Sequence, residues 1–103
     1  MRFKSYLASL LLVAPLYSVA AETQYKTIDA VQYDTSGTLY IRNESGWGAA
    51  GCANALFAYL PANSNVQSLA MQALATKAKV AFRGSCQNTE YFLINYIMVK
   101  APE

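Results

Sequence analysis

The chain has 103 residues, 54% of them apolar and 14% charged, with two cysteines, no histidine and a formal net charge of +2. Such a length makes one domain. Without histidine the chain lacks the side chain most often used for proton transfer near neutral pH, and two cysteines alone are too few for a structural zinc site.

Met1-Arg2-Phe3-Lys4 is positive, residues 5–19 are mostly apolar around Leu10-Leu11-Leu12-Val13, and Ser18, Ala20 and Ala21 are small. This three-part pattern predicts a secretory signal peptide over residues 1–21, cut after Ala20 or Ala21. The alternative is an uncleaved membrane anchor, which needs about 20 apolar residues; the run here is shorter and contains Pro15. No cysteine stands at the cleavage site, so a lipoprotein is not expected. Cleavage removes two bases, Arg2 and Lys4. The six that remain (Lys26, Arg42, Lys77, Lys79, Arg83, Lys100) face six acids (Glu22, Asp29, Asp34, Glu44, Glu90, Glu103). A neutral mature domain over residues 22–103, its bases dispersed, has no electrostatic footprint for nucleic acid or for anionic lipid. It is expected in a periplasm or outside the cell, with no stable membrane anchor after cleavage. A chain this small buries only about 60% of its unfolded surface. Two cysteines in an exported chain therefore read as one disulfide, Cys52–Cys86, a closure that stabilises by roughly 4 kcal/mol in the loop-entropy picture.

Residues 25–33 alternate with period two, which predicts a first strand, with Ile28 and Ala30 on one face and Thr27, Asp29, Val31 and Tyr33 on the other. Asp34-Thr35-Ser36-Gly37 is a turn. Residues 38–42 form the second strand of a hairpin, with Leu39 and Ile41 inward and Thr38, Tyr40 and Arg42 outward. Three glycines in the nine residues 43–51 exclude a regular element there. A third strand is predicted over 53–60 and is stopped by Pro61. The helix signal over 63–77 is the clearest: Ser64-Asn65-Val66-Gln67 fits a capping box, and Val66, Leu69, Ala70, Ala73 and Lys77, widened by Met71 and Leu74, make an apolar stripe. Lys77 and Lys79 stand at the negative end of its dipole. Residues 79–83 predict a fourth strand with Val80 and Phe82 inward, residues 84–90 a loop, and residues 91–100 a fifth strand that is apolar on both faces, hence central or in contact with another subunit.

The order β-β-β-α-β-β, mostly β, with one helix and one disulfide, points to a five-stranded OB-like antiparallel barrel. The alternative is an α+β sandwich with the helix on an antiparallel sheet. The signal peptide, mature length, strand order and single disulfide resemble the B subunits of bacterial AB-type toxins. Gly51-Cys52-Ala53 and the closing 91–100 strand are also similar to a set of small exported proteins of Gram-negative bacteria. The resemblance is one of topology across most of the mature chain. It implies ring assembly and host-glycan binding, and it carries no site residue over to this sequence.

No catalytic set is assembled by the sequence. The mature acids are scattered, the cysteines are better used as a bridge than as a nucleophile, and no Gly-rich phosphate loop precedes the helix. The expectation is a non-enzyme without cofactor or metal. Binding fits better: Tyr40, Arg42, Asn43, Ser45 and Trp47, with Glu44, cluster at the hairpin end and in the Gly-rich loop, an aromatic platform beside polar groups that suits a sugar ring, a peptide or a partner surface. A lone Trp in a loop is more often a plug over the open end of a small barrel than a contact residue, and the outward Tyr33, Tyr40 and Tyr59 read more readily as packing on a sheet face. Asn43-Glu44-Ser45 is a glycosylation triplet, meaningful only in a eukaryotic host. The function expected is an exported binding or interaction module for a protein or glycan. The alternative is an oligomer-forming structural subunit, a homo-oligomer, or an inhibitor or accessory protein of another exported chain.

Overall fold

The structure is a computed structural model that describes residues 20–102. Most of the expected signal segment, residues 1–19, lies outside the described residues. The elements are β1 (Ala20–Glu22), β2 (Lys26–Thr27), β3 (Ala30–Tyr33), β4 (Thr38–Arg42), β5 (Phe57–Pro61), α1 (Ser64–Thr76), β6 (Lys79–Cys86) and β7 (Tyr91–Lys100). The strands form one sheet in the order β1-β6-β7-β5-β4-β3, with β2 also on β6. The described residues are mostly β with one helix and one disulfide, as expected, but their sheet is open and has seven strands instead of five.

The extra strands arise because the predicted first strand is broken. Lys26 and Thr27 pair with Val80 and Lys79 of β6, whereas Ala30–Tyr33 pair with Arg42–Leu39 of β4. At the bend Ile28 turns into the core and the Asp29 N–H donates to the Arg42 carbonyl. The period-two pattern therefore does not run through: Val31, not Ala30, is the next residue to pack on the core. The third strand begins at Phe57, later than expected. Residues 47–55 bond among themselves, Trp47 N–H to the Ala55 carbonyl and Gly48 N–H to that of Ala53, so this backbone is not available to a strand ladder.

The helix starts one residue earlier than a Ser64 cap would give. Asn63 is the N-cap, and its side-chain oxygen accepts from the Asn65 and Val66 N–H groups. Lys77 ends the helix in the left-handed region at φ 60° and returns its N–H to the Ala73 carbonyl. Of the expected stripe only Ala70 and Ala73 are buried; Leu69 and Met71 are 40% and 49% exposed. The helix thus meets the sheet through small residues, and the gap between Leu69, Ala70 and Phe82 leaves no room for a water molecule.

Strand β6 continues past Arg83 to Cys86 because a bulge lets it follow β7. Arg83 pairs with Tyr96 and Gly84 with Ile94, leaving Asn95 over. This slip switches the core-facing side along β7: Phe92 and Ile94 are buried, then Ile97 packs on the core while Tyr96 is 51% exposed. A Cβ on Gly84 would collide with the Leu93 carbonyl oxygen, so the bulge can only be made with glycine. β7 lies between β6 and β5. The core is centred on Trp47 and Phe82, whose rings meet edge to face at 4.8 Å, with Ile41, Val80 and Phe92 around them. Cys52 and Cys86 are bonded, with Cα atoms 5.8 Å apart, and the closed loop contains β5, α1 and β6. No helix among the described residues is long and apolar enough to cross a membrane. The disulfide is compatible with an extracytoplasmic location.

The bulge gives a direct test. Gly84→Ala should cost at least about 2 kcal/mol, the overpacking range or above it, read as a lowered midpoint in chemical denaturation. A midpoint unchanged from the parent would show that the close approach of Gly84 to Leu93 is not real.

Candidate functional site

The hairpin turn fixes the first aromatic group. Asp34 Oδ1 accepts from the Ser36 N–H at 3.0 Å, the Ser36 hydroxyl at 2.6 Å and the Thr38 N–H at 3.1 Å. Its Oδ2 accepts from the Tyr40 hydroxyl at 3.3 Å. These donors, the Ser36 hydroxyl first, hold the Asp34 carboxyl below its ordinary value. Tyr40 moves the other way: burial among neighbouring groups, and then the Asp34 charge, push its hydroxyl up.

Tyr40 points outward from β4, as the alternation predicts, and it is not alone there. It stands directly across from Tyr59 of β5, while Phe57 of β5 pairs with Tyr91 of β7 in parallel register. Outward residues of three neighbouring strands so come to one level. Tyr40 lies 6.0 Å from Phe57, 6.1 Å from Tyr59 and 6.2 Å from Tyr91, centroid to centroid. Phe57 stacks on Tyr91 at 5.8 Å, and Tyr59 meets Tyr91 edge-on at 5.9 Å. Such spacings lie in the attractive range for aromatic pairs. None of the four rings is buried. They form an aromatic floor on the outside of the sheet, and beside it opens a cleft of about 260 Å³ lined by Tyr40, Tyr59, Gln87, Asn88 and Tyr91.

The cleft rim is the turn between β6 and β7. Asn88 Oδ1 accepts from the Glu90 and Tyr91 N–H groups at 2.7 and 2.9 Å, and the Gln87 N–H donates to the Tyr91 carbonyl at 3.0 Å. Gln87 Nε2 donates to the Ser85 hydroxyl. Among the described residues no partner engages Asn88 Nδ2 or Gln87 Oε1, a donor and an acceptor at the edge of the floor.

Of the five residues the sequence singles out, the structure puts only Tyr40 on this floor. Arg42 is nearby, paired in register with Phe57, and its guanidinium bonds to Asp29 at 3.0 Å. The other three build the loop behind it. Trp47 is fully buried and donates from Nε1 to the Ile41 carbonyl at 3.1 Å, so it presents no surface to a ligand and the contact role expected for it is withdrawn. Asn43 is buried too: its Nδ2 donates to the Thr27 carbonyl at 2.7 Å and its Oδ1 accepts from the Ser45 N–H and hydroxyl. The glycosylation triplet therefore has its amide engaged inside the fold. Ser45 in turn accepts from Lys26 Nζ. The residues that sequence reasoning missed are Phe57, Tyr91, Gln87 and Asn88; Tyr59 was read as outward, and its partners across the sheet were the missing part.

Among the described residues no three His, Cys, Asp or Glu side chains are grouped to hold a metal ion, and the two cysteines are bonded to each other. No protein-family model matches this chain, and no curated protein matches it.

The Asp34 network predicts a pH dependence. A carboxyl whose folded value is depressed stabilises the fold above its ordinary value near 3.8, and this contribution disappears as pH falls through that value toward the lower one. Thermal melts of Asp34→Asn should show lower stability than the parent at pH 7 and a smaller difference at pH 3. A constant difference across that range would contradict the assignment.

Proposed function

We propose that this chain is an exported, non-enzymatic binding module of OB-like architecture, and that its ligand seat is the outward floor of Tyr40, Phe57, Tyr59 and Tyr91. Two features of the sheet support the architecture. Its two ends, β1 and β3, belong to one stretch of chain, residues 20–33, that passes from β6 to β4. Counted as one bent strand, that stretch reduces the seven strands to five. The parallel pairing of β5 with β7 accompanies it. A periplasmic or secreted location fits the amino-terminal pattern and the disulfide.

The observation that carries the binding reading is the grouping of four partly exposed rings beside a braced amide rim. Isolated surface aromatics are ordinary; four joined by five ring contacts of about 6 Å, across three strands, form a continuous apolar surface with hydroxyls and amides at its edge. A pyranose ring has that shape and polarity: an apolar face of C–H groups and hydroxyls around the edge. The absence of histidine from the sequence and the pairing of both cysteines favour recognition over catalysis.

A glycan array with the mature protein tests this reading. Tyr91→Ala and Tyr59→Ala should each weaken any array ligand about tenfold, in line with loss of a stacking contact of 1–3 kcal/mol as measured for planar ligands on aromatic side chains. Tyr33→Ala, which alters a 61% exposed ring away from the floor, should not weaken it. Equal loss in all three variants would remove the floor from consideration.

One observation favours a second reading, a homo-oligomeric subunit. Beyond Leu93, β7 pairs with β6 alone, and Tyr96 and Val99 on it are 51% and 42% exposed. A strand with one open side is a template for another chain. Light scattering at high micromolar concentration decides it: a ring or dimer is expected on this reading, and a clean monomer overturns it.

A further inference from the structure

The cleft over Tyr40, Tyr59 and Tyr91 has a neighbour. A second depression of about 540 Å³ is lined by Asn54, Leu56, Phe57, Thr89 and Glu90. Phe57 in its wall is the ring that stacks on Tyr91 of the first cleft. Thr89 and Glu90 continue the turn whose Gln87 and Asn88 edge the first cleft. The two depressions therefore share a ridge, the Phe57–Tyr91 pair, and are bordered by one four-residue turn.

The borders are fixed by the same bond. Cys86 directly precedes Gln87, Cys52 lies two residues before Asn54, and the two cysteines are joined. The turn is further held by Asn88, as described above. A site that keeps its shape without ligand loses less on binding than one that must be ordered.

The two depressions differ in charge. The first is lined by hydroxyls and amides, and the Asp34 carboxylate behind Tyr40 is engaged by Ser36, Thr38 and Tyr40 donors, whereas the second carries Glu90, whose carboxylate has no hydrogen bond or ion pair with another described residue. An unpaired carboxylate at the edge of an apolar wall attracts a cation and offers nothing to an anion.

We propose that the two depressions are consecutive subsites of one groove, and that the groove takes a linear oligosaccharide of at least two units, with one ring on the tyrosine floor and a cationic amino sugar beside Glu90. The proposal rests on reading the floor as a saccharide seat. A linear chain can cross the Phe57–Tyr91 ridge with one ring on either side, which a single sugar cannot do.

Isothermal titration at fixed ionic strength tests it with three probes: glucosamine, its β-1,4-linked trimer, and the N-acetylated trimer. The glucosamine trimer should bind at least about tenfold more tightly than the monomer, since a second linked contact adds to the first. It should exceed the N-acetylated trimer by about fivefold, the scale of one exposed ion pair. Glu90→Gln should bring that preference to about one, and Tyr91→Ala should weaken both trimers. Equal affinity for monomer and trimer overturns the two-subsite groove while leaving the floor as a seat. A preference for the glucosamine trimer that survives Glu90→Gln overturns the role of Glu90. If no saccharide binds while a proline-rich peptide shifts resonances on both sides of the ridge, the saccharide reading and the groove's ligand class fall together.

Discussion

Three residues of β5 run parallel to three of β7, Phe57–Tyr59 beside Tyr91–Leu93, and the candidate site hangs on that short ladder. Parallel neighbours need a long connection between them. Here it holds the helix, β6 and the turn of residues 87–90. The ladder sets the level at which Tyr91 meets Phe57 and Tyr59, and Tyr40 reaches the same level through the antiparallel pairing of β4 with β5. A shift of β7 by one residue would carry Tyr91 to the face opposite Phe57 and Tyr59.

Two devices hold that ladder in place. The disulfide ties the end of β6 to the loop that leads into β5, so the two sides of the groove cannot drift apart. Beneath them Trp47, Phe82 and Phe92 are fully buried in the core, and the Trp47 N–H is satisfied by the Ile41 carbonyl. Burying a large ring with its one polar group bonded adds apolar area without leaving a costly unpaired donor. The Gly-rich loop thus serves as the wall behind the site, and its bends, at Gly46 for example, bring backbone within 2.8 Å of where a Cβ would stand.

A floor of rings, a polar rim and a lone carboxylate make a surface suited to recognition. The chemistry differs between the two depressions: hydroxyls and amides line the tyrosine end, with the Asp34 carboxylate taken up by its own donors, and Glu90 stands at the other. The loosely covered helix and the one-sided end of β7 lie elsewhere on the molecule. A ligand and a second copy of the chain would occupy different surfaces, so the binding and oligomer readings do not compete for the same residues.

Local pattern alone sufficed for much of the fold. The inward Leu39 and Ile41, the hairpin turn at Asp34, the helix before Lys77 and the pairing of Cys52 with Cys86 were legible, because each depends on residues a few positions apart or, for the cysteines, on there being no other choice. The bend at Ile28–Asp29, the bulge at Gly84 and the late start of β5 were not. All three are set by backbone groups of other segments: Arg42 and Val80 for the bend, Leu93 and Ile94 for the bulge, and Ala53 and Ala55 for the late start. The same holds for the site. Tyr40 could be picked out as an outward ring near polar groups, but Trp47 next to a Gly-rich loop looks the same in sequence whether it faces solvent or core. Phe57, Tyr59 and Tyr91 became neighbours only through strand pairing. Periodicity determines which side of a strand a ring occupies; which other rings share that side is decided by register between distant segments, and register exists only once the sheet has formed.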